Sequence, residues 1–193
     1  RRHLMTQPAN LLDRLRAALL AAGLGPTELD IAPADDPEGR TLAAALVLLY
    51  PHRLPGTAAQ FEPFLVLTRR TTALRRHSGQ ISLPGGRYDV EDGSLLRTAL
   101  RETEEELGVS PADLSIWGRL EPEHIVASHY ALAPFVAFTP RRPVFHPAPA
   151  EVAEVIDVPL AHLLDPATVE EEEWDFQGAT RRVSFYRQGE HKI

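Results

Sequence analysis

The sequence predicts an α/β (α+β) fold in which a few helices pack on a sheet core. Short apolar runs of strand length recur along the chain, whereas only a few segments carry apolar residues at helical spacing. Strands and helices do not alternate regularly, and most of the 17 prolines fall between the predicted elements. Since 193 residues are enough for one hydrophobic core, we predict a single domain spanning residues 1–193.

The first predicted element is a packing helix over residues 9–22, which ends at Gly23 as its C-cap. The apolar run at residues 42–50 predicts a buried strand, and Pro84, Gly85 and Gly86 predict a turn. A long helix is predicted from the N-cap Ser94 to residue 107, and residues 161–172 can hold a short helix. Further strands are predicted at residues 64–68, 80–83, 115–120, 130–138, 152–158 and 181–186.

Composition excludes several functional classes. The formal net charge of -7 argues against non-specific nucleic-acid binding, which needs a basic surface. The absence of cysteine excludes disulfides and thiolate metal sites, and no apolar run approaches the roughly 18 residues of a membrane span. Without a secretory signal pattern, the expected location is the cytoplasm. Because Met5 is the only methionine, we expect it to be the native start and residues 1–4 to be foreign to the native chain.

The central helix carries an unusual concentration of acid near its C-terminus. Leu96, Ala99, Leu100, Thr103 and Leu107 form one apolar stripe at about 100° per residue. On roughly the opposite side lie three carboxylates that repel one another and the helix dipole, while Glu104 is expected to face solvent. These three residues are Glu102, Glu105 and Glu106.

Two interpretations of such a run compete. A solvated helix face is the more common explanation, and we predict it for residues 170–173, which lack a glycine loop and an apolar stripe in register. The central helix instead follows a Gly-Gly turn, and a bound divalent cation would reverse the repulsion. Carboxylates without nearby histidine or cysteine suit Mg²⁺ or Mn²⁺, and Mg²⁺ is commonly shared between carboxylates and substrate phosphates. That combination predicts phosphate chemistry.

At these residues the sequence resembles the Nudix hydrolase family, whose signature is G-x5-E-x7-R-E-U-x-E-E-x-G-U with U a bulky apolar residue. Gly86 and the run from Arg101 to Val109 match it. Thr103 takes a position that is usually apolar, and the gap from Gly86 to Arg101 is one residue longer than the pattern. The first acidic position therefore falls on either Glu91 or Asp92.

A second motif lies upstream at residues 65–86, LVLTRRTTALRRHSGQISLPGG. It resembles the extended signature of the coenzyme A diphosphatase branch, LLTxR(S/T)xxxRxHxGQ(V/I)xFPGG, with Leu83 where phenylalanine is usual. The one-residue-longer acidic loop is also typical of that branch. Together the two motifs cover about 45 residues, under a quarter of the chain.

The resemblance implies a Nudix fold, an α/β/α sandwich with a mixed sheet, and Mg²⁺- or Mn²⁺-dependent hydrolysis of coenzyme A to 3',5'-ADP and 4'-phosphopantetheine. It implies that Glu102, Glu105 and Glu106 are the metal ligands and that Arg101 orients a glutamate. The general base is Glu106, Glu151 or Glu154. The residues expected to bind substrate are Arg69, Arg75, Arg76, His77, Gly85 and Gly86.

Other readings stay open at this level. The same chemistry can act on ADP-ribose, dinucleoside cofactors or nucleoside triphosphates, and a Nudix-fold sensor without turnover is a remoter alternative. A Ca²⁺-binding loop is disfavoured because the acids lie on a helix. Family members usually continue past a position like Ile193 into another helix, so the chain is either truncated or completed by a partner, for which a homodimer is one arrangement.

Overall fold

The computed structural model describes residues 11–26, 29–53, 61–72, 79–125, 129–176 and 178–193. This part of the chain contains helices α1 (Leu11–Ala21), α2 (Leu95–Leu107) and α3 (Leu160–Leu164). Short 3₁₀ turns lie at Val90–Asp92, Pro111–Asp113 and Pro166–Thr168. The strands are β1 (Thr41–His52), β2 (Glu62–Arg70), β3 (Ile81–Ser82), β4 (Gly85–Arg87), β5 (Ser115–Arg119), β6 (Glu123–Ile125), β7 (Tyr130–Phe138), β8 (Val152–Pro159), β9 (Val169–Phe176), β10 (Ala179–Gln188) and β11 (His191–Lys192).

Eight strands form one mixed sheet in the order β3-β2-β1-β7-β5, with β4 on β1, β6 on β7 and β8 on β2. The central pair, β1 and β7, is parallel, and the other pairs are antiparallel. Strands β9, β10 and β11 make a separate three-stranded sheet. Mixed pairing and few helices confirm the predicted fold class.

Strands β1 and β2 diverge, and the segment from β3 to β4 lies in the fork between them. They pair with each other only from Leu49 and Leu65 toward the hairpin end. At the other end, β3 pairs with β2 and β4 pairs with β1, and the amide of Leu46 donates to the carbonyl of Pro84. This fork brings Gly85 and Gly86 against the middle of the sheet.

Helices cover both faces of the large sheet because side chains alternate along each strand. On one face, Leu46 and Val66 belong to the core that includes Leu96, Ala99 and Leu107 of α2. On the other face, residues such as Leu49 and Leu65 pack with Leu19 of α1 and Leu160 of α3. The result is the predicted three-layer sandwich, with α2 alone beside the fork.

Of the local predictions, one holds in part and one is wrong. The turn predicted at residues 84–86 bends at Pro84, but Gly85–Arg87 pairs with β1, since a residue with no side chain can approach that strand closely. A Cβ on Gly85 would lie 2.3 Å from the carbonyl oxygen of Ala44. The run at residues 170–173 was predicted to lie on a helix face, but it belongs to β9 and pairs with β10, whose cations offset its charge.

Most other boundaries agree with the prediction within two residues. The helix from Ser94 to Leu107 and the strand at residues 130–138 coincide with α2 and β7, and the short helix predicted within 161–172 is α3. Strands β6 and β11 were not predicted. None of the helices in the described part of the chain is long and apolar enough to span a bilayer.

Candidate active site

Helix α2 is fixed at both ends, and this determines which of its acids point inward. The Ser94 hydroxyl caps its first turn, accepting from the amide of Arg97 at 3.2 Å, and Asp30 accepts from both side chains. Gly108, at φ 69°, ends the helix in the left-handed conformation. The predicted apolar stripe is buried or half-buried as expected, and the Thr103 hydroxyl donates to the carbonyl of Ala99 at 2.7 Å. Thr103 thus satisfies its hydroxyl within the helix at a position that is usually apolar.

Glu106 is the most deeply buried acid of the helix, with 3% of its surface exposed. Its carboxylate accepts from the amide of Gly85 at 3.3 Å and lies 3.4 Å from a terminal nitrogen of Arg70. The pKa of Glu106 is raised to about 7, chiefly because the carboxyl group is buried. The contacts with Gly85 and Arg70 oppose this rise, and the nearby charges of Glu102 and Glu151 add to it. An acid in this position is costly to ionise without added positive charge.

Glu102 lies one turn earlier and faces Gly86. A Cβ on Gly86 would meet the Glu102 carboxyl group at 2.4 Å, so the absence of a side chain there is what leaves room for this carboxylate. Burial also raises the pKa of Glu102, against the opposing effect of Arg101. The amide of Gly85 thus donates to Glu106, and the missing side chain of Gly86 leaves space for Glu102.

Arg101 links the acids of the site. Its guanidinium binds both carboxylate oxygens of Asp92, at 2.8 and 3.0 Å, and also lies 2.9 Å from Glu102 and 3.0 Å from Glu105. Asp92 is itself held by the Thr98 hydroxyl at 2.8 Å, and Arg101 lowers the pKa of Asp92. Of the two residues that could take the first acidic position, Asp92 makes these contacts, while Glu91 is exposed.

Glu105 occupies the outer edge of the group. Its side chain is 58% exposed and its described partner is Arg101, one helical turn earlier. Glu104 is exposed, as predicted. Among the described residues, no three acidic or histidine side chains converge closely enough to hold a metal ion as they stand. Arg101 and Arg70 contact several of the carboxylate oxygens.

The adjacent arginines of β2 have different partners. Arg69 donates to Glu154 on β8 at 2.8 Å, and His191 lies 3.0 Å from the other oxygen of the same carboxylate. Arg70 instead contacts Glu106. In the upstream motif the first arginine follows the threonine after one intervening residue, so with Thr68 as that threonine the matching position is Arg70. Arg70 is therefore the arginine of the motif, although the sequence alone led us to assign Arg69 and not Arg70 to the site.

The remaining predicted residues fall into two groups. Arg75, Arg76 and His77 lie outside the described residues. Glu151 immediately precedes β8, and its side chain is exposed while its charge raises the pKa of both Glu102 and Glu106. Of the two candidate bases outside the helix, Glu151 therefore interacts electrostatically with the carboxylates of α2, whereas Glu154 is paired with Arg69.

A groove of about 650 Å³ borders Glu102 and Arg101. Its other walls come from the end of β4 and the residues that follow it, namely Arg87, Tyr88, Asp89 and Val90. Sequence reasoning assigned no role to these residues because they occupy unspecified positions of the family signature. The groove provides space for a substrate beside the buried acids.

The donor set fits a divalent cation that prefers oxygen. It consists of carboxylates only, of which Glu106 is buried, Glu102 is partly buried and both have a raised pKa, in a cradle whose space a Cβ on Gly86 would fill. Bringing a dication to such a pair would offset the repulsion between Glu102 and Glu106. The ligand assignment itself stays a prediction.

Comparison with known proteins identifies the family of the chain. A NUDIX domain model matches residues 41–182. A Photorhabdus laumondii protein named uncharacterized Nudix hydrolase NudL is 37% identical over 132 residues, covering 68% of this chain and 70% of that protein. A protein of the same name from Yersinia enterocolitica is 41% identical over 103 residues, covering 53% of this chain and 52% of its own length. The chain thus spans about half the length of some of these relatives.

Solved structures show a similar fold at low sequence identity. The crystal structure of the Nudix hydrolase RenU from M. smegmatis aligns with a TM-score of 0.51 and 20% identity over 65% of this chain and 74% of that one. A Nudix hydrolase from Alicyclobacillus acidocaldarius aligns with a TM-score of 0.50 and 18% identity, covering 65% of this chain and 81% of its own. At such identities the likeness extends to the fold and not to substrate.

Proposed function

The chain belongs to the Nudix hydrolase family, and from that premise we propose that it hydrolyses the diphosphate of coenzyme A to 3',5'-ADP and 4'-phosphopantetheine. One observation carries the proposal: both sequence motifs meet at a single carboxylate. Arg70, inside the upstream motif, and Gly85, near its end, both contact Glu106 of the central helix. The segment that resembles the coenzyme A branch therefore adjoins the acids that the family signature supplies.

Members of the family generally use divalent metal ions, and here Glu102, Glu105 and Glu106 would hold Mg²⁺ or Mn²⁺. When bound, such an ion neutralises charge on the diphosphate and lowers the pKa of an attacking water. The protein's own task is positioning, which dominates phosphoryl-transfer catalysis. Arg101 performs it by holding Glu102 and Glu105 from one guanidinium that Asp92 fixes in turn.

Of the three candidate bases, we assign the proton acceptor to Glu151. Glu154 already accepts from Arg69, which lowers its pKa and makes it a poorer base near neutral pH. Glu106 would serve as a ligand. Glu151 is exposed, makes no ion pair with another residue of the described part of the chain, and lies near enough to influence both Glu102 and Glu106.

Replacing Glu151 and Glu154 in turn tests which of them is the general base. We expect Glu151→Gln to lower kcat by roughly 100-fold, the typical contribution of a general base, and Glu154→Gln to lower it far less. Steady-state kinetics with coenzyme A at fixed Mg²⁺ measures both. A larger loss in Glu154→Gln than in Glu151→Gln would reverse the assignment.

The basic segment before the glycines is proposed to hold the anionic groups of the substrate. Arg75 and Arg76, with His77 beside them, are the candidates for the 3'-phosphate, because a guanidinium can bind a phosphate through two parallel hydrogen bonds. Replacing Arg75 or Arg76 by Gln should raise KM for coenzyme A more than for 3'-dephospho-coenzyme A. Equal increases would count against recognition of the 3'-phosphate.

Incubation with coenzyme A, ADP-ribose and dATP in separate reactions with Mg²⁺ tests the substrate directly. The proposal expects 4'-phosphopantetheine and 3',5'-ADP from coenzyme A at a higher kcat/KM than for the other two substrates. Preferential hydrolysis of ADP-ribose or dATP would move the protein to another branch of the family. Glu102→Gln is the matched negative control, since it keeps the shape of the side chain and removes its charge.

A further inference from the structure

Strand β2 ends in two adjacent arginines with different environments. Arg69 is paired at 2.8 Å with Glu154, a carboxylate whose side chain is 35% exposed. Arg70 points to the α2 side, where it meets Glu106, which is 3% exposed. The two guanidiniums thus have the same chemistry and neighbouring positions, but only Arg70 faces the buried acids.

The contact between Arg70 and Glu106 is looser than a full charge-assisted hydrogen bond. Its 3.4 Å separation exceeds the roughly 2.7–2.9 Å typical of such bonds. The Nε atom of Arg70 is buried and has no hydrogen-bond partner in the part of the chain that the structure describes. Arg70 therefore retains a donor that its present contacts leave unused, and buried donors of this kind normally have an acceptor.

Thr68 supplies a second polar atom without a partner on the same face of the strand. Its side chain is fully buried, and its hydroxyl has no partner among the described residues. Residues two apart along a strand point to the same side, so Thr68 and Arg70 both lie on the face covered by α2. Two polar atoms on one face of the strand, both without a partner among the described residues, indicate that this face can accept a further polar group.

The carboxylate of Glu106 is the point of competition. In the metal-free protein, a terminal nitrogen of Arg70 lies 3.4 Å from this buried carboxylate and partly neutralises its charge. A divalent cation at the same carboxylate would repel the guanidinium, because two positive charges would then share one acceptor. Arg70 would be left with its donors free at the edge of the site.

We propose that Arg70 is a shared counter-ion, which neutralises Glu106 in the metal-free protein and binds a non-bridging phosphate oxygen of the substrate when Glu106 binds a divalent cation. This inference rests on the proposed diphosphate hydrolysis and adds to it a substrate-binding residue outside the central helix. It also predicts that replacing Arg70 strengthens metal binding and weakens substrate binding. A purely structural role would worsen both metal binding and turnover.

The first arm measures binding of Mn²⁺ alone, by electron paramagnetic resonance, to metal-free protein. Arg70→Gln is expected to bind Mn²⁺ about threefold more tightly or better, since it removes a competing ion-pair partner. Arg70→Lys keeps the charge and should stay near the wild type. Arg69→Gln is the matched control: it removes the neighbouring cation, so an equal gain in affinity there would reveal a general charge effect and overturn the competition.

The second arm measures kinetics with whichever of coenzyme A, ADP-ribose and dATP the wild type hydrolyses. Arg70→Gln is expected to raise KM about tenfold or more, the size of a lost hydrogen bond between charged groups. Arg70→Lys should recover part of that loss. Circular dichroism of the metal-free variants checks that they are folded.

The two arms distinguish failure of this inference from failure of the proposed function. Preference for ADP-ribose or dATP would refute coenzyme A as the substrate while both arms could still support Arg70. Unchanged or weaker Mn²⁺ binding in Arg70→Gln, or an unchanged KM, would overturn the shared counter-ion. Absence of turnover with all three substrates would refute the substrate half, and the Mn²⁺ arm would then decide the pairing with Glu106.

Discussion

The chain contains two acidic runs of similar composition, and their environments are opposite. On α2, Glu102 and Glu106 are drawn inward, and burial raises the pKa of both. On β9, Glu170 and Glu172 are exposed, and bonds to Arg187 and Lys192 respectively lower their pKa. The β9 run is neutralised by cross-strand cations of its own sheet. The α2 run keeps buried negative charge, which Arg70 and Arg101 offset in part among the described residues.

This comparison shows that a run of glutamates does not identify a metal site by itself. Strand alternation distributes the β9 acids along a surface hairpin, where Arg182 and Arg187 can reach them. The apolar stripe of α2 docks on the sheet and carries its neighbouring acids into the fork between β1 and β2. The two acidic runs therefore differ in how far nearby cations neutralise their carboxylates.

The largest expected effect is on turnover. Glu106→Gln should reduce kcat by roughly 100- to 1000-fold, because it removes a buried carboxylate from the charge-neutralising set of the site. Glu171→Gln, the matched change in the β9 run, should leave kcat within error of the wild type. Steady-state assays with coenzyme A measure both. Comparable losses in the two variants would erase the distinction between the runs.

The next effect is on the pH dependence of stability without metal. Glu106 has a folded pKa of about 7 against an ordinary value of 4.5, so the folded state binds more protons between these values. Ionisation of Glu106 therefore lowers the free energy of unfolding. This loss is absent below about pH 4.5, grows as the pH rises to about 7 and reaches at most about 3 kcal/mol.

Urea unfolding of wild type and Glu106→Gln in EDTA, at pH 5 and pH 8, measures this penalty. The variant should gain stability relative to the wild type at pH 8, and the difference should be much smaller at pH 5. A variant that is equally or more strongly destabilised at pH 8 would contradict the buried charge inferred for α2.

A smaller effect compares one glycine from each region. Gly86→Ala places a methyl group against the flexible end of Glu102, so we expect about a tenfold loss in kcat with little change in Tm. Gly178→Ala, in the β9–β10 hairpin, has open space around it but a φ of 82°, which should cost about 1 kcal/mol in unfolding free energy without affecting kcat. Kinetics and thermal unfolding of both variants should show a loss of kcat only in Gly86→Ala and a loss of stability mainly in Gly178→Ala.

The smallest expected effect is at the surface of β9. Glu170 bonds to Arg187, which lowers the pKa of Glu170, so its stabilisation is present above the unfolded pKa and is lost as pH falls through the folded value. Glu170→Gln should lower Tm slightly at pH 7, and the difference should shrink as the pH falls below the ordinary glutamate pKa of 4.5. The sign at neutral pH is opposite to that of Glu106→Gln, and finding the same sign in both would undermine the comparison.

Local patterns predicted much of the fold. The apolar stripe, the N-cap Ser94 and the terminal Gly108 located α2 to the residue, since capping and periodicity are properties of neighbouring residues. Short apolar runs located most strands of the large sheet. The strand at residues 170–173 was missed because glutamate by itself favours a helix, and pairing with β10, which follows later in the chain, overrides that preference.

For the candidate site, the sequence by itself determined the acids of α2, the flanking glycines and the resemblance to the Nudix family, because these depend on residue type and spacing. Only the tertiary structure decided that Arg69 pairs with Glu154 while Arg70 reaches Glu106, and that Asp92 holds Arg101. These pairings join residues from different elements across the fork and the sheet. Their physical basis is burial and distance, neither of which is defined until the elements have packed.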